Sequence, residues 1–281
     1  MLVHRILPAF VVLVALTACT AIGSAGVSGS GTATSIPPKD TDAVWVAVIG
    51  DSILADDCYT CSAVVVPSLG GGEEIRPVLE VDPHIVLVDY DARYGATAAD
   101  HGGYEAALRA SPDELVVDLY PNDAAQIATG RTMLAQTEAR IVTMVDEARD
   151  AGVDCLDWVT YQSAAAHLGA WELVPGWAAD TRLLRDFIVG LAATRPEQEV
   201  LDFGGEADDL MAHGTAMMDS RDWVHYRTSA SSLLAQRIRE RVLDGRCSDA
   251  TPPPTTTTTQ AATTSEAPTT TAPPGSPTPD G

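Results

Sequence analysis

The chain has 281 residues, with 17 Lys and Arg against 39 Asp and Glu, a formal net charge of −22. That balance offers no basic footprint for phosphate backbones or anionic lipid headgroups, so it excludes nucleic-acid binding and electrostatic docking on a membrane. The single lysine, Lys39, precedes the first periodic segment, which removes a P-loop lysine, a Schiff-base lysine and a Ser-Lys dyad from the core.

Residues 1–19 read as an export signal. His4 and Arg5 form a short basic region, and the apolar run from Ile6 to Leu16 is too short to span a bilayer. Leu16-Thr17-Ala18-Cys19 then resembles a bacterial lipobox, in which Cys19 takes the lipid and becomes the mature N-terminus; the alternative is an ordinary signal peptide with Cys19 incidental. Residues 20–41 are small and polar, a flexible tether. Residues 249–281 form a tail expected to be disordered. Thr251 to Gly281 holds 12 Thr and 8 Pro with no aromatic residue, too little apolar surface to bury. One folded domain is expected over 42–248.

Four cysteines remain after Cys19: Cys58, Cys61, Cys155 and Cys247. An even number in an exported chain points to two disulfides with three possible pairings. Cys58 and Cys61 also have the spacing of a redox dithiol or half a zinc site, but no second pair accompanies them, so no metal is expected.

Five apolar runs read as strands buried on both faces: Trp45–Ile49, His84–Asp89, Glu114–Leu119, Val153–Val159 and Glu199–Phe203. Helical patterns lie between and after them, near Ala98–Arg109, Arg131–Ala151, Asp180–Thr194 and Ser229–Leu243. The alternation predicts an α/β fold with a parallel sheet covered on both faces. Ligands in such sheets sit beyond the carboxyl ends of the strands.

The residues just past those ends carry the candidate chemistry. Gly50-Asp51-Ser52 follows the first run and puts a hydroxyl at a strand-to-helix turn; the same triplet is also a good turn and cap. Gly95 follows the second and offers an unobstructed N–H. Asn122 follows the third, where its amide can face a developing oxyanion or cap a helix. Asp222-Trp223-Val224-His225 precedes the last helix, and one turn of separation lets Asp222 fix the tautomer of His225. The other histidines, His4, His84, His101, His167 and His213, lack such a partner and are taken as structural or solvated.

These blocks, in this order, resemble the SGNH hydrolases, also called the GDSL esterase/lipase superfamily. The resemblance implies a three-layer α/β/α sandwich around a flavodoxin-like five-stranded parallel sheet. It implies Ser52 as nucleophile, His225 as general base and Asp222 as its orienting acid. The N–H groups of Ser52 and Gly95 with the Asn122 amide would form the oxyanion hole, without a cofactor or metal. Many members carry Gly two residues before the Asn, where this chain has Tyr120. Tyr120, Asp51 and Trp223 are expected to line the substrate. In this fold Cys155 and Cys247 fall at the edge opposite the site and Cys58 and Cys61 near it, so the expected bonds are Cys155–Cys247 and Cys58–Cys61. The expected activity is that of an exported serine esterase, a monomer acting on a small-molecule or carbohydrate ester. Its membrane contact would be only the lipid at the N-terminus, holding it outside the cell membrane unless it is secreted. Acyl transfer or O-deacetylation on cell-envelope carbohydrate would use the same residues, and a non-catalytic binding module on this fold is the remaining alternative.

Overall fold

The computed structural model describes Lys39, residues 42–55, 72–101, 103–163, 174–220 and 224–245, and Cys247. The lipobox, the tether up to residue 38, the Thr/Pro tail and the Cys58–Cys61 pair lie outside the described residues, as do Asp222 and Trp223.

Five strands form one parallel sheet in the order β2-β1-β3-β4-β5. They are β1 Val44–Gly50, β2 Ile85–Ala92, β3 Glu114–Asp118, β4 Cys155–Val159 and β5 Gln198–Leu201. The central strands β1, β3 and β4 are buried almost throughout, which is why they read as unbroken apolar runs. β2 is an edge strand, half-buried along most of its length, and its register on β1 slips between Val46 and Ala47.

Seven helices are described: α1 Gly72–Glu80, α2 Tyr104–Arg109, α3 Pro121–Ala128, α4 Leu134–Asp150, α5 Trp177–Ala192, α6 Phe203–Ala212 and α7 Thr228–Asp244. α1 packs on α7, while α3 and α4 pack on α5, giving a layer of helices on each side of the sheet. α7 was the clearest amphipathic stripe in the sequence, and it buries Leu234, Ile238 and Val242. No helix among the described residues is long and apolar enough to cross a membrane.

The first predicted helix starts late, at Tyr104. Residues 98–101 and 103 make bends and turns instead of a helix, because the Ala98 N–H is taken by the Asp123 carboxylate and Asp100 and Tyr104 close separate turns. Residues 202–203, expected at the end of the last strand, leave the sheet; Asp202 caps α6 by accepting from Gly205 N–H.

Cys155 at the start of β4 is bonded to Cys247 past α7, with a Cα–Cα distance of 5.3 Å across 92 residues of chain. This is the expected pairing, at the expected edge. Cys155, Asp157 and Cys247 are the one metal-compatible grouping among the described residues, and both sulfurs are spent on the disulfide. Closing so long a loop removes much unfolded-chain entropy. Cys247→Ser is expected to lower the unfolding free energy by about 2–5 kcal/mol in denaturant titration, and a loss well under ~1 kcal/mol would show that the cross-link contributes nothing.

Candidate active site

The sheet order reverses between β1 and β3, so a crevice opens past their carboxyl ends. Gly50 at the end of β1 pairs with Asp118 at the end of β3. Beyond Gly50 the chain makes one tight turn. Asp51 N–H donates to the Asp118 carbonyl at 2.8 Å, Ala55 N–H donates back to the Asp51 carbonyl at 3.0 Å, and Ile53 N–H donates to Asp51 Oδ1 at 2.8 Å. Those bonds hold Ser52 at the crest of the turn, 8% exposed. A side chain at position 50 would strike Leu54, its Cβ lying 2.8 Å from Leu54 Cδ1, so the turn requires glycine.

The loop after β2 supplies Gly95, exposed and in the left-handed region at φ +77°. Among the described residues nothing accepts from the N–H of Ser52 or of Gly95. The loop is stitched to the start of α3 by the pair after β3: Asn122 Nδ2 donates to the Ala96 carbonyl at 3.2 Å, and Asp123 accepts from Ala98 N–H at 3.0 Å. Asn122 Nδ2 also donates to Asp51 Oδ2 at 2.9 Å, tying α3 to the Ser52 turn. Behind it, the Trp177 indole N–H donates to the Pro121 carbonyl at 2.8 Å. Trp177 thus braces α3, as packing at a helix start would suggest.

His225 comes from the segment before α7. Tyr226 is buried there, edge-on against Tyr161 and Phe203 with centroids 5.6 and 5.2 Å away. The backbone bridges Met218 to Tyr226, and Asp219 N–H donates to the His225 carbonyl at 2.8 Å. With its neighbour anchored, the His225 ring lies 6.0 Å from the Tyr94 ring and within electrostatic reach of Asp51. The structure therefore brings Ser52, Gly95, Asn122 and His225 to one edge of the sheet.

Two expected lining residues sit elsewhere. Asp51 and Tyr120 are each only 1% exposed, so neither lines a substrate cleft. Asp51 turns inward to the two donors described above. The Tyr120 hydroxyl accepts from Tyr161 N–H on the neighbouring strand end. His101 is buried near the Gly50 carbonyl, and burial holds it below the usual imidazole range; His84 and His213 are exposed. Those three fit the structural or solvated reading.

Sequence reasoning missed the floor beneath the site, built from Asp51, Asp118 and Asp123. Burial pushes Asp51 from the usual 3.8 to about 7, against the lowering pull of Ile53 N–H and His225. It pushes Asp123 to about 7, with Ala98 N–H opposing, and Asp118 well above the usual range, with the nearby Asp51 charge adding to the rise. A hydrophobic neighbourhood predicts such shifts only once the fold is known.

Comparison with family models and with curated proteins gave no match. Solved structures do match in fold. A lipase/acylhydrolase from Enterococcus faecalis is 19% identical, covering 72% of this chain and 95% of its own, at a TM-score of 0.51. A Bacteroides fragilis protein provisionally described as an acylhydrolase is 15% identical over 75% of this chain and 91% of its own, at 0.52. A Bacillus subtilis protein is 18% identical over 72% and 57%, at 0.53. The chain has the SGNH hydrolase fold.

A carboxyl raised on folding holds its proton more tightly in the native state. Its contribution to stability is complete below the unfolded value and is lost as pH rises through the folded one. For Asp51 and Asp123 that window runs from the usual 3.8 to about 7. The melting temperature is expected to fall as pH rises from about 5 to 8, and Asp118→Asn is expected to raise it at pH 8 and flatten the slope. A scan in which the variant and the wild type keep the same slope would count against the buried acid.

Proposed function

We propose that the chain is an exported serine esterase, hydrolysing carboxylic O-acyl esters through an acyl-serine intermediate. The observation that carries this reading is the delivery of His225 to the edge that already holds Ser52, Gly95 and Asn122. An alcohol and an imidazole carried to one strand edge, with two backbone N–H groups and an amide there, supply the parts of an acyl-transfer site. The acylhydrolase named among the structures of like fold supports the same class of chemistry.

In the first half-reaction the Ser52 oxygen attacks the ester carbonyl carbon while His225 takes the hydroxyl proton. The carbonyl oxygen becomes an anion facing the Ser52 N–H, the Gly95 N–H and the Asn122 amide. Both amide hydrogens of Asn122 are engaged, and the weaker bond, 3.2 Å to the Ala96 carbonyl, is the one to yield to the oxyanion. Collapse breaks the bond to the alcohol, which leaves with the proton from His225. Water then repeats the sequence on the acyl-serine and releases the acid. Asp222, three residues before His225, is assigned to orient the imidazole on spacing alone. Export and a lipid on Cys19 rest likewise on the apolar run and Leu16-Thr17-Ala18-Cys19.

The test is hydrolysis of p-nitrophenyl acetate by the purified chain. Ser52→Ala is expected to abolish turnover above background, and Asn122→Ala to lower kcat by about 10²–10³-fold, the usual cost of one oxyanion donor. Undiminished turnover by Ser52→Ala would reject the serine mechanism.

A further inference from the structure

The proposed mechanism leaves one buried acid without a task. Asp118 ends β3 beside Gly50 of β1, its carbonyl accepts the Asp51 N–H, and its side chain is buried. No described residue donates to either of its oxygens. The charge that acts on it is that of Asp51, at the end of β1. The charge of Asp118 acts in turn on the phenols of Tyr120 and Tyr226, with Asp202 and Arg185 acting on the first and Asp208 on the second. On the far side of Asp51 stand Asp123 of α3 and His225.

The two neighbouring carboxyls are unequally provided for. Asp51 accepts one N–H on each oxygen, from Ile53 and from Asn122, and His225 favours its charged form. Among the described residues, Asp118 has no donor on either oxygen. A buried carboxylate without donors gives way to the neutral acid, and two acids this close titrate as a unit. One proton therefore stays on Asp118 while one negative charge settles on Asp51.

We propose that Asp118 and Asp51 act as a positioning pair: the neutral acid at 118 keeps the pair at a single negative charge, and that charge, on Asp51, fixes the Asn122 amide at the oxyanion hole. The assignment rests on the esterase reading. A charge-assisted bond holds an amide more firmly than a neutral one, so losing the charge frees Asn122 to wander. Adding a second charge drives the two carboxyls apart and shifts Asp51 away from Asn122.

Two readouts on the full chain test the pair. The infrared spectrum at pH 7.5 should show a protonated-carboxyl stretch in the wild type that is diminished in Asp118→Asn. In pH profiles of p-nitrophenyl acetate hydrolysis, Asp51→Asn should lose about 10–100-fold in kcat with KM within about twofold. Asp118→Asn should hold its rate at alkaline pH where the wild type declines. Melting curves confirm that each variant is folded. Identical carboxyl bands in the wild type and Asp118→Asn would overturn the proposal, and so would a kcat for Asp51→Asn within about twofold of wild type. Wild-type turnover by Ser52→Ala would instead sink the esterase reading, and the infrared result would still report on the pair.

Discussion

The bond from the Asn122 amide to the Asp51 carboxylate is the tie on which the site depends. It joins the turn after β1 to the helix after β3, two stretches that meet only because the strand order places β3 beside β1. The same amide reaches the Ala96 carbonyl, so the loop bearing Gly95 hangs from it as well. A single buried carboxylate thus sets the relative position of the Ser52 turn, the Gly95 loop and Asn122. Nothing on a flexible surface loop could hold that geometry. The backbone of Ser52 is fixed by the turn past β1, and the Gly95 loop is tied to the start of α3 through the Asn122 amide.

His225 reaches this edge by a different device. Its placement depends on Tyr226, whose ring is wedged between Tyr161 and Phe203, and on the bridge from Met218. Burying Tyr226 in the core fixes the backbone of the bend that carries the half-buried His225. The aromatic anchor acts as a fulcrum for the imidazole. The Trp177 bond to Pro121 does comparable work for Asn122 from behind α3.

The sheet was legible because burial on both faces writes strands as continuous apolar runs, and all five were found within a few residues of their ends. α7 and α4 were legible as long amphipathic patterns. α1, α3 and α6 were not, since each is ten residues or fewer and all three carry a proline or paired glycines that mask the period. The Ser52, Gly95, Asn122 and His225 blocks could be read because their residue types are rare in combination at strand ends. Asp51 and Tyr120 were misplaced for one reason: proximity in sequence to a site says nothing about which way a side chain turns. Asp118 was passed over because it sits inside an apolar run, where an acid looks like a strand-end solvent contact until the neighbouring strands close over it.

A raised carboxyl does not by itself mark function, and the opposite edge of this sheet shows why. Glu114, at the start of β3, is pushed up to about 10 by burial and by the adjacent Asp157, a larger departure than that of Asp51. Yet Asp157 is met by Arg241 at 3.2 Å, and the same guanidinium engages Glu199, so those acids are knit into the packing of α7 beside the Cys155–Cys247 bond. That arrangement fastens a helix to the sheet. Asp118 has no such counter-charge among the described residues, and its nearest charged neighbour holds the Asn122 amide. A buried acid whose value is raised on folding lowers stability at neutral pH. At Glu114 the fold recovers something structural in return, whereas at Asp118 the only evident return lies in the behaviour of Asp51. Strain retained where packing gains nothing is the pattern expected of a site kept for chemistry.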